Sequence, residues 1–167
     1  PRTIRANVLN EFGAPKRSMS ARINFVEQVQ SFIKPGGYLL LVEPAQRVAS
    51  QGLSLLRDAW GGGKKMSLKA PCMGLHQCPM GMHKSSWCHT SFHWEQPEYL
   101  TTLMGHIGFA PNPVSLSYLL WQKKKRPRFS SGLRLVSQPL KRASQGAIVL
   151  GCNDQNKIVE VSQNRLP

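Results

Sequence analysis

Apolar residues recur at Met19, Ile23, Val26, Val29 and Phe32, with Arg22, Glu27, Gln28 and Gln30 between them. That spacing predicts one amphipathic helix over residues 18 to 33. Lys34-Pro35-Gly36-Gly37 ends it, because proline cannot continue a helix and the glycines permit a sharp return. Residues 38 to 44, YLLLVEP, then form an almost continuous apolar run closed by proline, the pattern of a buried parallel strand. Val48, Leu53, Leu55, Leu56 and Trp60 predict a second helix over residues 46 to 59. Helix, Pro-Gly-Gly turn, buried strand and helix make a repeating αβ layer.

Further along, YLTTLMGHIGF predicts a short helix ending at Gly105 or Gly108, and VSLSYLLWQ is a strand rich in β-branched and aromatic residues. GAIVLGC and KIVEV flank NDQN, which reads as a hairpin loop. GGGKK at 61 to 65 lacks the G-x-x-x-x-G-K-[ST] spacing of a phosphate loop and reads as a flexible linker.

Composition narrows the partners. In 167 residues the hydrophobic fraction is 41%, and no apolar run approaches the roughly 18 residues of a membrane span, so no membrane partner is expected. Against 22 Lys and Arg stand 8 Asp and Glu, a formal charge of +14, which points to a polyanion and above all to nucleic acid. Lys123, Lys124, Lys125, Arg126 and Arg128 place five positive charges in six residues, and Arg134, Lys141 and Arg142 follow. This cluster is either a phosphate-contacting surface or a solvated hairpin tip. The chain opens on Pro1 without a charged segment leading into an apolar one, so no secretory signal is visible, and either processing or a missing upstream part is expected.

The stretch APCMGLHQCPMGMHKSSWCHTSFHWE, residues 70 to 95, holds three of the four cysteines and four of the five histidines. Cys72, Cys78, Cys88 and Cys152 are spaced C-x5-C-x9-C-x63-C, with no C-x-x-C knuckle of the kind structural zinc sites use. Four thiolates at loose spacing, the fourth brought from far away by the fold, suit an iron-sulfur cluster. Spacing alone leaves a cluster, a zinc site and reduced unligated cysteines open, with disulfides disfavoured for want of an export signal. His76 and His89 stand close to cysteines and read as residues that donate hydrogen bonds to cluster sulfur rather than as ligands. His83, His93 and His106 read as surface or packing residues, and Trp87, Phe92, Trp94 and Tyr99 as an apolar cover over the site.

Two resemblances bear on the fold and the function. NVLNEF, a helix and IKPGGYLLLVEP resemble the fourth and fifth strands of a class I S-adenosylmethionine methyltransferase fold. That likeness implies an edge of a cofactor pocket at Asn7, Asn10 and Glu11, which would equally serve to cap a strand end. The Gly-rich turn and the acidic ribose partner of such a pocket are not in this chain. The methyltransferase likeness also implies that VSLSYLLWQ and its neighbours supply a hairpin at the sheet edge. APC, CP and WCH, followed by LSYLL, a basic stretch, RLVSQPLKR and GAIVLGC, resemble the Rsm-type family of mitochondrial small-ribosomal-subunit assembly proteins and their bacterial relatives. Met73-Gly74, where relatives commonly show Pro-His, and the longer WCHTSFHWE depart from that pattern.

The family resemblance implies a four-iron four-sulfur (4Fe-4S) cluster on Cys72, Cys78, Cys88 and Cys152, with small-subunit ribosomal RNA and the small ribosomal subunit as partners. The expected fold is α/β, the C-terminal portion of a class I methyltransferase-like, Rossmann-type sheet with an inserted cysteine-rich metal-cluster loop and a β-rich C-terminal extension. Its parts are a partial α/β unit at 1–62, the cysteine loop at 63–98, the end of the sheet at 99–127 and a basic extension at 128–167. The expected function is a methyltransferase-like small-subunit assembly factor in translation that binds rRNA. The alternatives are an active S-adenosylmethionine-dependent rRNA methyltransferase and a zinc-stabilised nucleic-acid-binding module. The expected location is the cytoplasm of a bacterium or the mitochondrial matrix of a eukaryote.

Overall fold

Strict alternation of burial along one strand shows how the central layer is built. In β2, Tyr38–Pro44, the odd positions Leu39 and Leu41 are fully buried and Glu43 is buried with them, while their neighbours are only half covered. The computed structural model describes residues 2–6, 8–12, 18–61, 63, 65–72, 77–81, 83, 85–108, 113–123, 132–137, 139–142 and 146–162. The chain is mixed α/β with two sheets. In the first, β1 (Arg2–Ala6) runs parallel to β2, and β2 runs antiparallel to β5 (Val114–Lys123). The far edge of β5 is shared by two short antiparallel strands, β3 (Met66–Ala70) and β4 (Thr90–Phe92). The second sheet is antiparallel. Its central strand β8 (Gly146–Asn153) pairs with β6 (Leu133–Leu135), β7 (Leu140–Arg142) and β9 (Ile158–Ser162).

Both predicted helices near the start of the chain form, as α1 (Met19–Ser31) and α2 (Arg47–Trp60), and they cover one face of the first sheet. The helical spacing holds through Val26 and Val29, then reaches Ile33 at the next four-residue step. Ile33 is therefore buried, and Phe32, expected on the apolar face, is 82% exposed. The turn that follows uses Gly36 at φ +78, a conformation that side chains disfavour. Lys123 Nζ donates to the carbonyls of Gln30 and Ile33 at 3.0 and 2.6 Å, a cation on the last turn of α1 where orphan carbonyls and the helix dipole favour one.

Two expectations change. The run 38 to 44 is parallel to β1 on one side only and is antiparallel to β5 on the other. VSLSYLLWQ is a strand, but it lies between β2 and the β3/β4 edge rather than in an edge hairpin. β3 and β4 were not anticipated at all, since five and three residues give too few alternations to read. The helix expected to begin near Tyr99 and end at Gly105 or Gly108 forms as α3 (Glu98–His106), and NDQN joins β8 to β9 as expected.

The core draws Val26, Val29 and Ile33 from α1, Leu53, Leu56 and Trp60 from α2, and Leu39, Leu41, Leu68, Leu119 and Trp121 from the sheet. Trp121 is fully buried and meets Trp60 edge-on at 5.0 Å between ring centroids. A buried Arg22 faces Glu43, whose Oε1 accepts the Leu9 amide at 2.9 Å, so the charged end of β2 ties α1 to the 3-10 turn Leu9–Phe12. Trp121→Ala is expected to lower unfolding free energy by about 3–5 kcal/mol, through lost apolar burial and a cavity in contact with both helices. Urea unfolding followed by circular dichroism checks it.

A candidate metal centre lined by four cysteines

The edge of β5 determines where the cysteines emerge. β3 ends at Ala70 opposite Leu120, and β4 begins at Thr90 opposite Leu116, so Ser117 to Leu119 face an interruption in the edge. The chain leaves the sheet at that interruption and returns to it, and Cys72, Cys78 and Cys88 lie on this excursion. Ser117 Oγ donates to the Cys88 carbonyl at 2.8 Å and lies 2.6 Å from Ser50 Oγ of α2. Further along the same helix, Gln51 Nε2 donates to the His83 carbonyl at 2.6 Å. Both oxygens of Asp58 accept the Cys78 amide, at 3.0 and 3.2 Å. Trp87 Nε1 donates to the Ala45 carbonyl at 2.6 Å, just before α2 begins. The loop is therefore splinted along one polar face of α2.

Cys152 arrives from the second sheet, in β8 between Arg134 on β6 and Ile158 on β9. The turn beyond it closes through Asn153 Oδ1, which accepts the amides of Gln155 and Lys157, and through Asn156 at φ +56. All four cysteines line one small cavity, walled otherwise by Arg57, Pro71, Pro79, Met80, Arg134, Val136, Asn156 and Ile158. An adjoining space shares Cys72, Cys78, Cys88 and both arginines and reaches Ser117 and His89. The four are free thiols. Among the described residues, no three His, Cys, Asp or Glu side chains are gathered tightly enough to hold a single metal ion.

Charge in the cavity is arranged against the thiolates' own cost of burial. Arg57 is 2% exposed, pairs with Asp58 and donates a hydrogen bond to Cys72. Burial pushes the Cys72 thiol up to about 11 in spite of that guanidinium, with Cys78 and Cys88 adding repulsion. Burial likewise raises Cys88, with Arg134 the strongest opposing influence, and it raises Cys152, with Cys72 and Cys78 adding to the effect. Arg134 is further fixed by Tyr118, its guanidinium carbon 5.5 Å from the ring centroid.

The remaining expected site residues are scattered. His89 is exposed and donates from Nδ1 to the Trp87 carbonyl at 3.0 Å, and His83 Nδ1 accepts the Ser86 amide at 3.0 Å. His93 is exposed, His106 Nδ1 donates to the Thr102 carbonyl at 2.7 Å, and His76 lies outside the described residues. The expected aromatic cover does not form: Phe92, Trp94 and Tyr99 are exposed, and the prolines, Met80, Val136 and Ile158 wall the cavity instead. Asn7 lies outside the described residues, Asn10 falls in the 3-10 turn, and Glu11 is exposed there. Of the basic positions, Lys123 is held on α1 and Arg134 faces the cysteines. Lys141 and Arg142 sit on β7, and Lys124, Lys125, Arg126 and Arg128 lie outside the described residues. Sequence reasoning missed Arg57 and Asp58. The available signal was an arginine four residues after Leu53 and three before Trp60, on the buried face of the helix.

Residues 6–164 match the family described as mitochondrial small ribosomal subunit Rsm22. The chain belongs to that family. The matched span includes the four cysteines together with Arg57 and Arg134. A comparison with individually curated proteins returns no match.

A thiol that is harder to ionise folded than unfolded favours the fold below its ordinary value of 9.0, and that contribution is lost as pH rises toward about 11. The metal-free protein is therefore expected to lose stability between pH 9 and 11, with Cys72 alkylated by iodoacetamide far more slowly at pH 8 than a free cysteine peptide. Urea midpoints across that range, with mass mapping of the alkylated peptide, check both.

Proposed function

We propose that the chain is part of a methyltransferase-like small-ribosomal-subunit assembly factor that binds rRNA and holds a 4Fe-4S cluster through Cys72, Cys78, Cys88 and Cys152. The carrying observation is the convergence of four free thiols, three from a loop of one sheet and one from the middle of the other, on a single cavity. The donor set suits the group: soft sulfur ligands, a largely apolar wall and two guanidiniums as counter-charge. A cluster bound there would be held by three thiolates from the loop and one from the second sheet. The chain's own residues position the donors: Asp58 holds the Cys78 amide, Ser117 the Cys88 carbonyl, and the β8–β9 pairing fixes Cys152.

The methyltransferase-like part of the reading draws support from the order β1-β2-β5-β3, with β1 parallel to β2 and helices on one face. Family membership supports the small subunit as partner and the mitochondrial matrix as location. Among the described residues no helix is long and apolar enough to cross a membrane. The RNA part rests on the excess of 22 basic over 8 acidic residues and on the run from Lys124 to Arg128, since Lys123 and Arg134 are engaged within the fold.

Protein purified without oxygen is expected to be brown, with about four iron and four acid-labile sulfide per chain. Cys152→Ser should lower both and should destabilise the fold, because ligand binding and folding are coupled. Stoichiometric zinc without sulfide would sink the cluster. Changing Lys124, Lys125 and Arg126 together to alanine is expected to weaken binding to structured RNA of any sequence. It should also flatten the dependence of log affinity on log salt by roughly 0.7 to 0.9 per lost phosphate contact. Filter binding across a salt series measures it, and an unchanged slope would mean that the run is a solvated tip.

A further inference from the structure

We propose that Arg134 sets the reduction potential of the cluster in this cavity, an inference that rests on the cluster reading above. Four thiolates outweigh the positive charge of an iron-sulfur core, so the assembly is anionic, and accepting one electron adds another negative charge. A fixed cation beside the sulfurs therefore favours the reduced state more than the oxidised one.

Two cations reach the cavity, and their situations differ. Arg57 is buried, hydrogen-bonded to Cys72 and paired with the carboxylate of Asp58. Arg134 has no carboxylate partner among the described residues. It sits opposite Cys152 in the β6–β8 register and lines the same cavity as Cys88. It thus lies beside one ligand from each sheet. Tyr118 of β5, under the guanidinium at 5.5 Å, restricts where that charge can move. A group half shielded from water, held by an aromatic face and unopposed by an acid acts on the sulfurs with less screening than a surface lysine would.

The test compares Arg134→Met and Arg134→Lys with the unaltered chain, all purified anaerobically and titrated with dithionite under electron paramagnetic resonance, with iron and sulfide counted in each. Arg134→Met is expected to keep its iron and sulfide and to lose about tenfold in the relative stability of the reduced state, a midpoint about 59 mV lower for one electron. Arg134→Lys should fall well short of that shift. Loss of the cluster in Arg134→Met but not in Arg134→Lys would overturn the inference, marking the charge as needed for retention rather than as the setter of the potential. An unchanged midpoint in an iron-loaded Arg134→Met protein overturns the inference and leaves the cluster standing, as does equal cluster loss in both folded variants, which would mark the stacked shape rather than the charge. Absence of iron and sulfide from the unaltered chain would instead refute the cluster itself.

Discussion

The ten residues of β5 are more than either neighbour on its outer edge pairs, and the candidate site follows from that mismatch. β3 pairs with one end of the strand and β4 with the other, which leaves Ser117 to Leu119 without a strand partner on that side. Such an edge is open to a loop rather than a strand. Ser117, aligned with Glu43 of β2 across the sheet, turns its hydroxyl to Cys88 and Ser50. The interruption thereby becomes the place where both ends of the cysteine loop are anchored.

A polar face on a helix that packs against a sheet is costly unless each group finds a partner. On α2 the buried Ser50, Ser54 and Arg57 meet that requirement within the fold: Ser54 donates to the Ser50 carbonyl, Ser50 meets Ser117, and Arg57 bridges Asp58 and Cys72. The same pairings hold the loop, so satisfying the helix and positioning the thiols are one constraint. In the metal-free protein the buried guanidinium beside Cys72 faces a neutral thiol, because burial opposes ionisation more than Arg57 favours it. Anionic ligation in the cavity would give that cation the counter-charge it lacks on the cysteine side.

The long periodic segments and the cysteine quartet were legible in the sequence. Helices of 13 and 14 residues repeat their pattern often enough to be read, and the β8–β9 hairpin is bracketed by a turn sequence with few alternatives. β3 and β4 were not legible, since they exist only because β5 offers them an edge. Counting basic residues also misleads in particular cases: Lys123 looks like the first member of an RNA-binding run, yet its side chain reaches back to α1 carbonyls in a segment some ninety positions earlier. The aromatic cover failed for a related reason. Aromatic residues near cysteines in sequence need not face them, and β4 and α3 leave Phe92 and Tyr99 in solvent.

Joining the two sheets is the harder structural problem. Each is closed by its own hydrogen bonds, and among the described residues the side chains that meet across the cavity include Arg134 over Tyr118, and Cys152 with Val136 and Ile158 facing the loop cysteines. The second sheet contributes little buried apolar area of its own, with Leu133, Leu135 and Leu140 exposed and Ile148 and Val149 buried. A small sheet of that kind is marginal by itself. It gains most from a link that is strong for its size, and ligands from both sheets on one polynuclear centre would provide such a link without enlarging the core. A ligand from the second sheet, as Cys152 would be across the long interval from Cys88, is what would make such a centre a tie between the sheets rather than an ornament of the loop.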